Sequence, residues 1–242
     1  MTDKLANLPH ILWINLDKDK QRKKHMESQF SKYNLANTRI EAIDGENYND
    51  YCHYDKKLTT KNEKGTLGCF LSHIKAMEHF VNTPDLGEYC LIAEDDLSFE
   101  YLPFWKKTFW HYIKEAPKDF NIIQLTVTYA YIYLTYCKHL HPRKHSLLKH
   151  EDYMYGAGIY LIKREAAEIL LMFISKINKK YKLNLIRETV SDAFIYQSLD
   201  KVYSIPLFTF NTTFYSNIHS DHIEVIHKPS KNTITKIWKD NL

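Results

Sequence analysis

Tyr89-Cys90-Leu91-Ile92-Ala93-Glu94-Asp95-Asp96 is an apolar run of the length of a buried strand that stops at three consecutive carboxylates. Two such anions about 4 Å apart repel by roughly 4 kcal/mol at an effective dielectric of about 20, so the cluster implies a compensating cation. Hard carboxylate oxygens at a strand end suit Mg²⁺ or Mn²⁺, and such a metal suits a phosphate-bearing ligand. The alternative is an acidic turn in which Asp96 caps a helix over Leu102–Lys114.

Upstream, His10–Leu16 reads as a first buried strand, and Asp17–Asn34 as a charged helix with a thin apolar stripe at Met26, Phe30 and Tyr33. Thr38–Ile43 reads as a second strand, closed by the turn pair Asp44-Gly45. Asn47–Lys64 is polar and reads as a surface loop. Thr66–Val81 predicts the clearest helix: Leu67, Phe70, Leu71, Ile74, Met77 and Val81 recur at helical spacing beside a small-and-polar stripe of Cys69, Ser72, His73 and Ala76.

Downstream, Asn121–Val127 predicts a fourth strand after Glu88–Ala93, and Cys137–His150 a basic loop. Tyr153–Ile162 reads as a strand with two glycines, Lys163–Ile177 as a helix, Ser191–Leu199 as a short helix and Val202–Pro206 as a last strand. Strands alternating with helices imply an α/β fold with a mostly parallel sheet, in which ligands bind beyond the carboxyl ends of the strands. The Glu94–Asp96 cluster lies at one such end, which favours the metal over the acidic turn.

A chain of 242 residues with only 6 Gly and 7 Pro has length for a real core and little room for long linkers, so residues 1–242 are expected to form a single domain. A formal net charge of +4, with the lysines spread along the chain, suits an anionic small molecule better than nucleic acid. The 18 Tyr suit sugar or base stacking as well as core packing. Cys52, Cys69, Cys90 and Cys137 share no close metal-type spacing and read as free thiols in a reducing compartment. Met1-Thr2-Asp3-Lys4 leads straight into a strand-like segment, and no window reaches transmembrane length. A cytoplasmic chain without a transmembrane segment is expected, although a fragment of a longer protein would look the same.

No GxGxxG follows the first strand and no GxxxxGK[ST] occurs, so any nucleotide must be held another way. Asn15, Leu16 and Arg22 are candidates, since Arg pairs with phosphate bidentately; read by itself, Arg22 is a solvated helix charge. Gly65-Thr66-Leu67-Gly68, at the start of the predicted helix, offers either free N–H groups to an anion or simple close packing. His73 is either a catalyst or a satisfied structural histidine. No Ser/His/Asp nucleophile elbow and no HExxH occurs among the 13 histidines. His219, Asp221, His222 and His227 are close enough in sequence to share a site and equally able to sit in solvent.

Five blocks resemble one family. Ile14-Asn15-Leu16-Asp17 followed by Arg22 is similar to its INLxx…R opening, and Ala42-Ile43-Asp44-Gly45 to its A-[VI]-D-G element. Gly65–His73 resembles its GxxGCxxSH block, Leu91–Asp96 its L-x-x-EDD, and Tyr155–Ala167 its GxxxYxIxxxxA. These are the family 25 glycosyltransferases, which include lipooligosaccharide and collagen hydroxylysine galactosyltransferases. The matches occur in family order and, with Asp192, span most of the chain.

The resemblance implies a Rossmann-like fold of the GT-A type, with a mostly parallel central sheet flanked by helices. It also implies a UDP-sugar donor, Mn²⁺ or Mg²⁺, and inversion at the anomeric carbon. The transferred hexose would be galactose, glucose or N-acetylglucosamine, and the acceptor a hydroxyl on a glycan, glycolipid or protein. Carried over by position, Asn15, Leu16, Arg22, Asp44, Gly45, Gly68, Ser72, His73 and Glu94 would face the donor. Asp96 and Glu94 would hold the metal, with His219 or His222 completing its shell. Asp192 would be the base, with Asp95 second. The proline that often precedes the family's late Asp is replaced here by Val190-Ser191, and Asp192 reads equally as a first-turn acid of a short helix. A metal-dependent phosphohydrolase or nuclease would use the same carboxylates, and a catalytically inert sugar-binding module would keep the same fold.

Overall fold

Every residue of β1 (Ile11–Asn15) is buried, because it has a parallel neighbour on each side and covering layers on both faces. The computed structural model describes residues 2–140, 147–151, 154–183, 186, 189–214 and 223–240. From β1 the chain crosses through α1 (Lys20–Tyr33) to β2 (Asn37–Glu41). Helix α1 buries Met26 and Phe30 and ends at Asn34, whose left-handed φ of 52° lets its N–H donate back into the last turn. β3 (Cys52–His53) and α2 (Lys61–Val81) lead to β4 (Tyr89–Glu94), the strand whose carboxyl end carries the acidic cluster.

The second half contains β5 (Leu97–Ser98), α3 (Phe109–Ile113), β6 (Ile122–Gln124), α4 (Ala130–Leu140) and β7 (Leu148–Lys149). β8 (Ile159–Lys163), α5 (Arg164–Met172), β9 (Ser175–Ile177), β10 (Lys180–Lys182) and α6 (Ser191–Gln197) follow. β11 (Val202–Ser204), β12 (Thr209–Phe210) and α7 (Lys228–Asp240) complete the order.

The central sheet runs β2-β1-β4-β8-β6-β11-β7. Only β8 and β7 oppose the others, so the sheet is mostly parallel as expected. Alternate residues feed two cores: Ile11, Trp13, Leu91 and Ala93 face one with α1, α3, α4 and α7, while Leu12, Ile14, Cys90 and Ile92 face the other with α2, α5 and α6. Small ladders β3-β10-β9 and β12-β5 lie outside this sheet. Among the described residues no helix is long and apolar enough to cross a membrane.

Several elements differ from expectation. α2 begins about a turn early, because Thr60 and Glu63 form a reciprocal capping box hidden in the polar Asn47–Lys64 stretch. Gly65 and Gly68 therefore lie inside the helix, and the anion site at a helix start is overturned. The helix over Leu102–Lys114 is broken into a 3₁₀ turn at Leu102–Phe104 and α3, with Trp105 between them. That ring is buried and its Nε1 donates to Leu207 O at 3.0 Å, an anchor that local periodicity cannot register. The stretch read as a basic loop from Cys137 contains the end of α4 and β7. The predicted Lys163–Ile177 helix stops at Met172 and gives way to β9. The tail carries α7, whose Ile234, Ile237 and Trp238 are buried at helical spacing.

Candidate active site

A cleft of about 520 Å³ opens at the carboxyl ends of β1 and β4. One wall comes from the Ile14–Arg22 turn, the Ala42–Glu46 loop and the N-terminal half of α2. The other comes from Thr128-Tyr129, Tyr155–Gly158, Val190–Asp192, Phe210 and His227. Glu94, Asp95 and Asp96 lie between them.

Asp95 is held on both sides. Its Oδ2 accepts from Asn15 Nδ2 at 2.7 Å, and its Oδ1 is ion-paired with Arg22 Nη1. Asn15 is itself fixed by Arg39, whose Nε donates to Asn15 Oδ1 at 2.9 Å. Arg22 also reaches Asp96 Oδ2 at 3.5 Å, and its side chain is 13% exposed, so it is a buried counter-ion and the solvated-charge reading is overturned. Burial opposes its charge, but Asp96 and Asp95 outweigh that and hold the guanidinium protonated.

Asp96 differs from its neighbour. It is 8% exposed, and among the described residues its buried Oδ1 has no hydrogen-bond partner. Burial, with Glu94 and Asp95 adding to it against the pull of Arg22, pushes its carboxyl up to about 7. The main chain fixes this residue from outside, since Asn211 N donates to Asp96 O at 2.6 Å.

Half-buried Glu94 projects from the last rung of β4 towards α2. His73 Nε2 stands 3.4 Å from Glu94 Oε1, and Cys69 Sγ donates to the same oxygen at 3.8 Å. On the other side of the ring, His73 Nδ1 lies 3.1 Å from Tyr160 OH. Burial raises the Glu94 carboxyl, but the His73 hydrogen bond and charge and the Arg22 charge outweigh it and hold it below its ordinary value. Burial and the charge of Glu94 push the Cys69 thiol well up, so it is a neutral wall residue and no nucleophile. One ligand atom each of Cys69, His73 and Glu94 lies within 4.8 Å of the others, a mixed S/N/O set unlike the all-oxygen ligands that Mn²⁺ or Mg²⁺ prefer.

A further carboxylate in the cleft is Asp192, in the first turn of α6. Its Oδ2 accepts from Gly156 N at 2.9 Å and its Oδ1 from Ala193 N at 3.0 Å. Burial pushes its carboxyl up despite these donors. Gly156 has φ +119°, which suits glycine, and a Cβ there would lie 3.1 Å from Thr128 Cγ2.

Among the residues carried over to the donor, Leu16, Asp44 and Gly45 line the cleft. Asp44 is ion-paired with Lys18 and accepts from Glu46 N, so its carboxyl lies low. Ser72 touches the cleft, but its Oγ donates to Gly68 O at 2.6 Å and accepts from Ile43 N at 2.8 Å, which makes it a brace. Gly68 and His73 lie behind the wall: Gly68 lets α2 meet the Gly45 backbone, and His73 is 1% exposed. His219 and His222 lie outside the described residues. Sequence reasoning missed Lys61, Tyr129, Tyr155 and Phe210 as site residues, because only the fold brings them to one opening; of the tail residues grouped in sequence, His227 lines the cleft.

Residues 8–187 match glycosyltransferase family 25 (LPS biosynthesis protein). The chain belongs to this family. A glycosyltransferase 25 family member of Anopheles gambiae is 30% identical over 125 residues, 47% of this chain and 20% of that protein. Procollagen galactosyltransferase 1 of Danio rerio is 29% identical over 190 residues, 70% of this chain and 29% of that protein. This family 25 chain thus spans under a third of the length of these relatives. Its mostly parallel α/β sheet flanked by helices, with the acidic cluster at the carboxyl end of β4, is the architecture expected from the sequence. Among solved structures, a glycosyltransferase involved in glycosylation of the major capsid of PBCV-1 aligns at 10% identity and TM-score 0.44, covering 94% of this chain and 98% of that one. A Drosophila galactosyltransferase 7 mutant in complex with manganese, UDP-Gal and xylobiose aligns at 12% identity and TM-score 0.38, covering 90% and 74%.

Proposed function

We propose that this chain is a metal-dependent, inverting hexosyltransferase that moves galactose, glucose or N-acetylglucosamine from a UDP-sugar to an acceptor hydroxyl, and that residues 1–242 act as one domain. The observation that carries this is the buried Asp96 Oδ1, unpartnered among the described residues, inside a carboxylate cluster at the carboxyl end of β4. Among the described residues Asp95 and Asp96 share the Arg22 guanidinium, an arrangement that a cation at the cluster would complete. Hard oxygens from Asp96 and Glu94 fit Mn²⁺ or Mg²⁺. Such an ion supplies Lewis-acid stabilisation to the charge that develops on the departing diphosphate.

The chain's own residues divide the remaining work. Lys18 and Lys61 place positive charge on the first wall, where a diphosphate would lie. Asn15 and Arg22 hold Asp95 in place beside Asp96 and so shape the cluster, which removes Asp95 as a ready base. Asp192 is the base: two backbone N–H groups fix its orientation, and burial raises its affinity for the acceptor's proton. Inversion requires the acceptor hydroxyl to attack opposite the leaving diphosphate, and Asp192 lines the same cleft as the two lysines.

Thermal shift and UDP release with UDP-Gal, UDP-Glc and UDP-GlcNAc, each with and without Mn²⁺, test the reading. The expected result is stabilisation by one donor that needs the metal, with UDP released in turnover. Asp96→Ala is expected to abolish metal-dependent turnover; full activity in that variant or in excess chelator would overturn the metal assignment. For Asp192→Asn the expected signature is lost turnover with donor affinity retained, and a collapse of donor binding would refute the base role.

A further inference from the structure

Cys69 and His73 are one helical turn apart on α2, so both side chains leave the same face of the helix. Glu94, on the last rung of β4, projects towards that face. Cys69 is in no disulfide, and neither its thiol nor the His73 imidazole has a task in the proposed transfer.

The three ligand atoms are spaced for a tetrahedral ion. His73 Nε2 is 3.4 Å and Cys69 Sγ 3.8 Å from Glu94 Oε1, and all three lie within 4.8 Å of one another. Tetrahedral Zn²⁺, with bonds of about 2.3 Å to sulfur and about 2.0–2.2 Å to nitrogen and oxygen, sets its ligands about 3.3–3.6 Å apart. The donor types also choose the ion, because thiolate with imidazole suits Zn²⁺ and carboxylate oxygens suit Mg²⁺ and Mn²⁺.

The surroundings complete the set. His73 is 1% exposed, and its Nδ1 is 3.1 Å from Tyr160 OH. With Nε2 on a metal, the ring proton sits on Nδ1 and donates to that hydroxyl, the kind of outer partner that holds a ligating imidazole in orientation. Ser191 Oγ, 3.2 Å from Cys69 Sγ, offers a thiolate a hydroxyl donor. Cys69, Glu94 and Ser191 all line the cleft, so an ion has an entry path and its fourth position is open to water.

The geometry points to a Zn²⁺ site formed by Cys69, His73 and Glu94, separate from the Mn²⁺ or Mg²⁺ position at Asp96, whose loading shuts the enzyme off by withdrawing Glu94. Loading exchanges a proton for the ion: the Cys69 S–H bond breaks, the thiolate binds Zn²⁺, and the proton leaves to solvent. The site stands on its three side chains; only its inhibitory effect rests on the transferase reading.

Titrating the metal-free chain with Co²⁺ and then displacing it with Zn²⁺ tests the site without turnover. An equimolar amount of Co²⁺ is expected to give tetrahedral d–d bands with a near-ultraviolet thiolate charge-transfer band, and equimolar Zn²⁺ to bleach both. Cys69→Ala and Cys69→Ser should each abolish the charge-transfer band and raise the Zn²⁺ dissociation constant about 100-fold. Cys52→Ala, outside the cleft lining, should leave both unchanged. Tyr160→Phe should keep the band and weaken Zn²⁺ about tenfold. No thiolate band in wild type, or one that survives in both Cys69 variants, overturns the site. With a UDP-sugar and Mn²⁺, Zn²⁺ should inhibit the wild type at the concentration that bleaches cobalt, and each Cys69 variant, measured against its own zinc-free rate, only at about 100-fold more. Equal inhibition of wild type and variants would sink the competition for Glu94. The cobalt signature without turnover of any UDP-sugar would refute the transferase reading alone.

Discussion

Arg22 separates carboxylates that would otherwise repel, and it does so from a position 13% exposed. Removing one partner of such a buried set leaves uncompensated charge, so Arg22→Met is expected to cost about 3–5 kcal/mol, read as a lowered urea midpoint. Mn²⁺ should restore part of that loss; no rescue would count against a cation at the cluster. Asp96 adds a pH signature. Its folded carboxyl titrates at about 7, above its ordinary 3.8, so between those values the folded state binds more protons than the unfolded one. Stability in chelator should therefore fall as pH rises from about 4 to about 7. Asp95 and Asp192 are also raised and act in the same direction, whereas Asp44 lies low and acts only at more acid pH. Thermal midpoints at pH 5 and pH 8 for wild type and Asp96→Asn, both in chelator, isolate the effect: the wild-type decline should be the steeper, and equal slopes would refute it. The carboxylates were legible in the sequence because a strand-like run ends on them. The role of Arg22 was not, since a basic helix residue looks the same whether it meets water or an acid far along the chain.

At the scale of elements, α2 sets the first wall through its start and its glycines. Thr60 caps it by accepting from Glu63 N at 3.1 Å, and Thr60→Ala is expected to cost about 1 kcal/mol in chemical denaturation. The Glu63 carboxylate completes the box and is held down at about 2, chiefly by the N–H groups of Thr60 and Thr59, so this part of the helix start is lost only as pH falls from about 4.5 through 2. The glycines carry a different constraint. A Cβ on Gly68 would lie 2.7 Å from both Gly45 N and Ile43 O, and one on Gly45 only 1.9 Å from Lys64 O. These neighbours are backbone and cannot turn aside, so Gly68→Ala is expected to cost about 1–3 kcal/mol of overpacking. A stable Gly68→Ala protein with an unchanged urea midpoint would show that α2 can move off the Asp44-Gly45 loop. The apolar stripe of α2 announced the helix, but the glycines announced only that something had to approach closely. The broken Leu102–Lys114 segment shows the converse, because a tertiary anchor at Trp105 overrides a pattern that suits a helix.

Over the whole molecule, the two walls are built by different parts of the chain. β1, α1, β2 and α2 supply the first, and the segments around β6, β8 and α6 supply most of the second. Strand existence was readable from apolar runs, but strand direction was not, because a buried strand looks alike in either sense; β8 thus lies against its neighbours unannounced. The tail was least legible, since its helix depends on a surface formed by distant residues. Trp238 of α7 is 3% exposed, packs edge-on against Tyr112 at 5.9 Å, and donates from Nε1 to Pro206 O at 3.2 Å. Tyr101 OH donates to Lys231 O at 3.0 Å, and Ser230 ties the same helix to Thr128 and Ala130. α7 is therefore the support behind the aromatic wall. Trp238→Ala is expected to destabilise by about 3–5 kcal/mol, enough to lower the thermal midpoint by several degrees. In the fraction that remains folded, turnover should weaken while affinity for UDP, which is proposed to sit on the other wall, is retained. Equal loss of turnover and UDP affinity in Trp238→Ala would mean that the walls do not move independently, and that α7 supports the sheet as a whole.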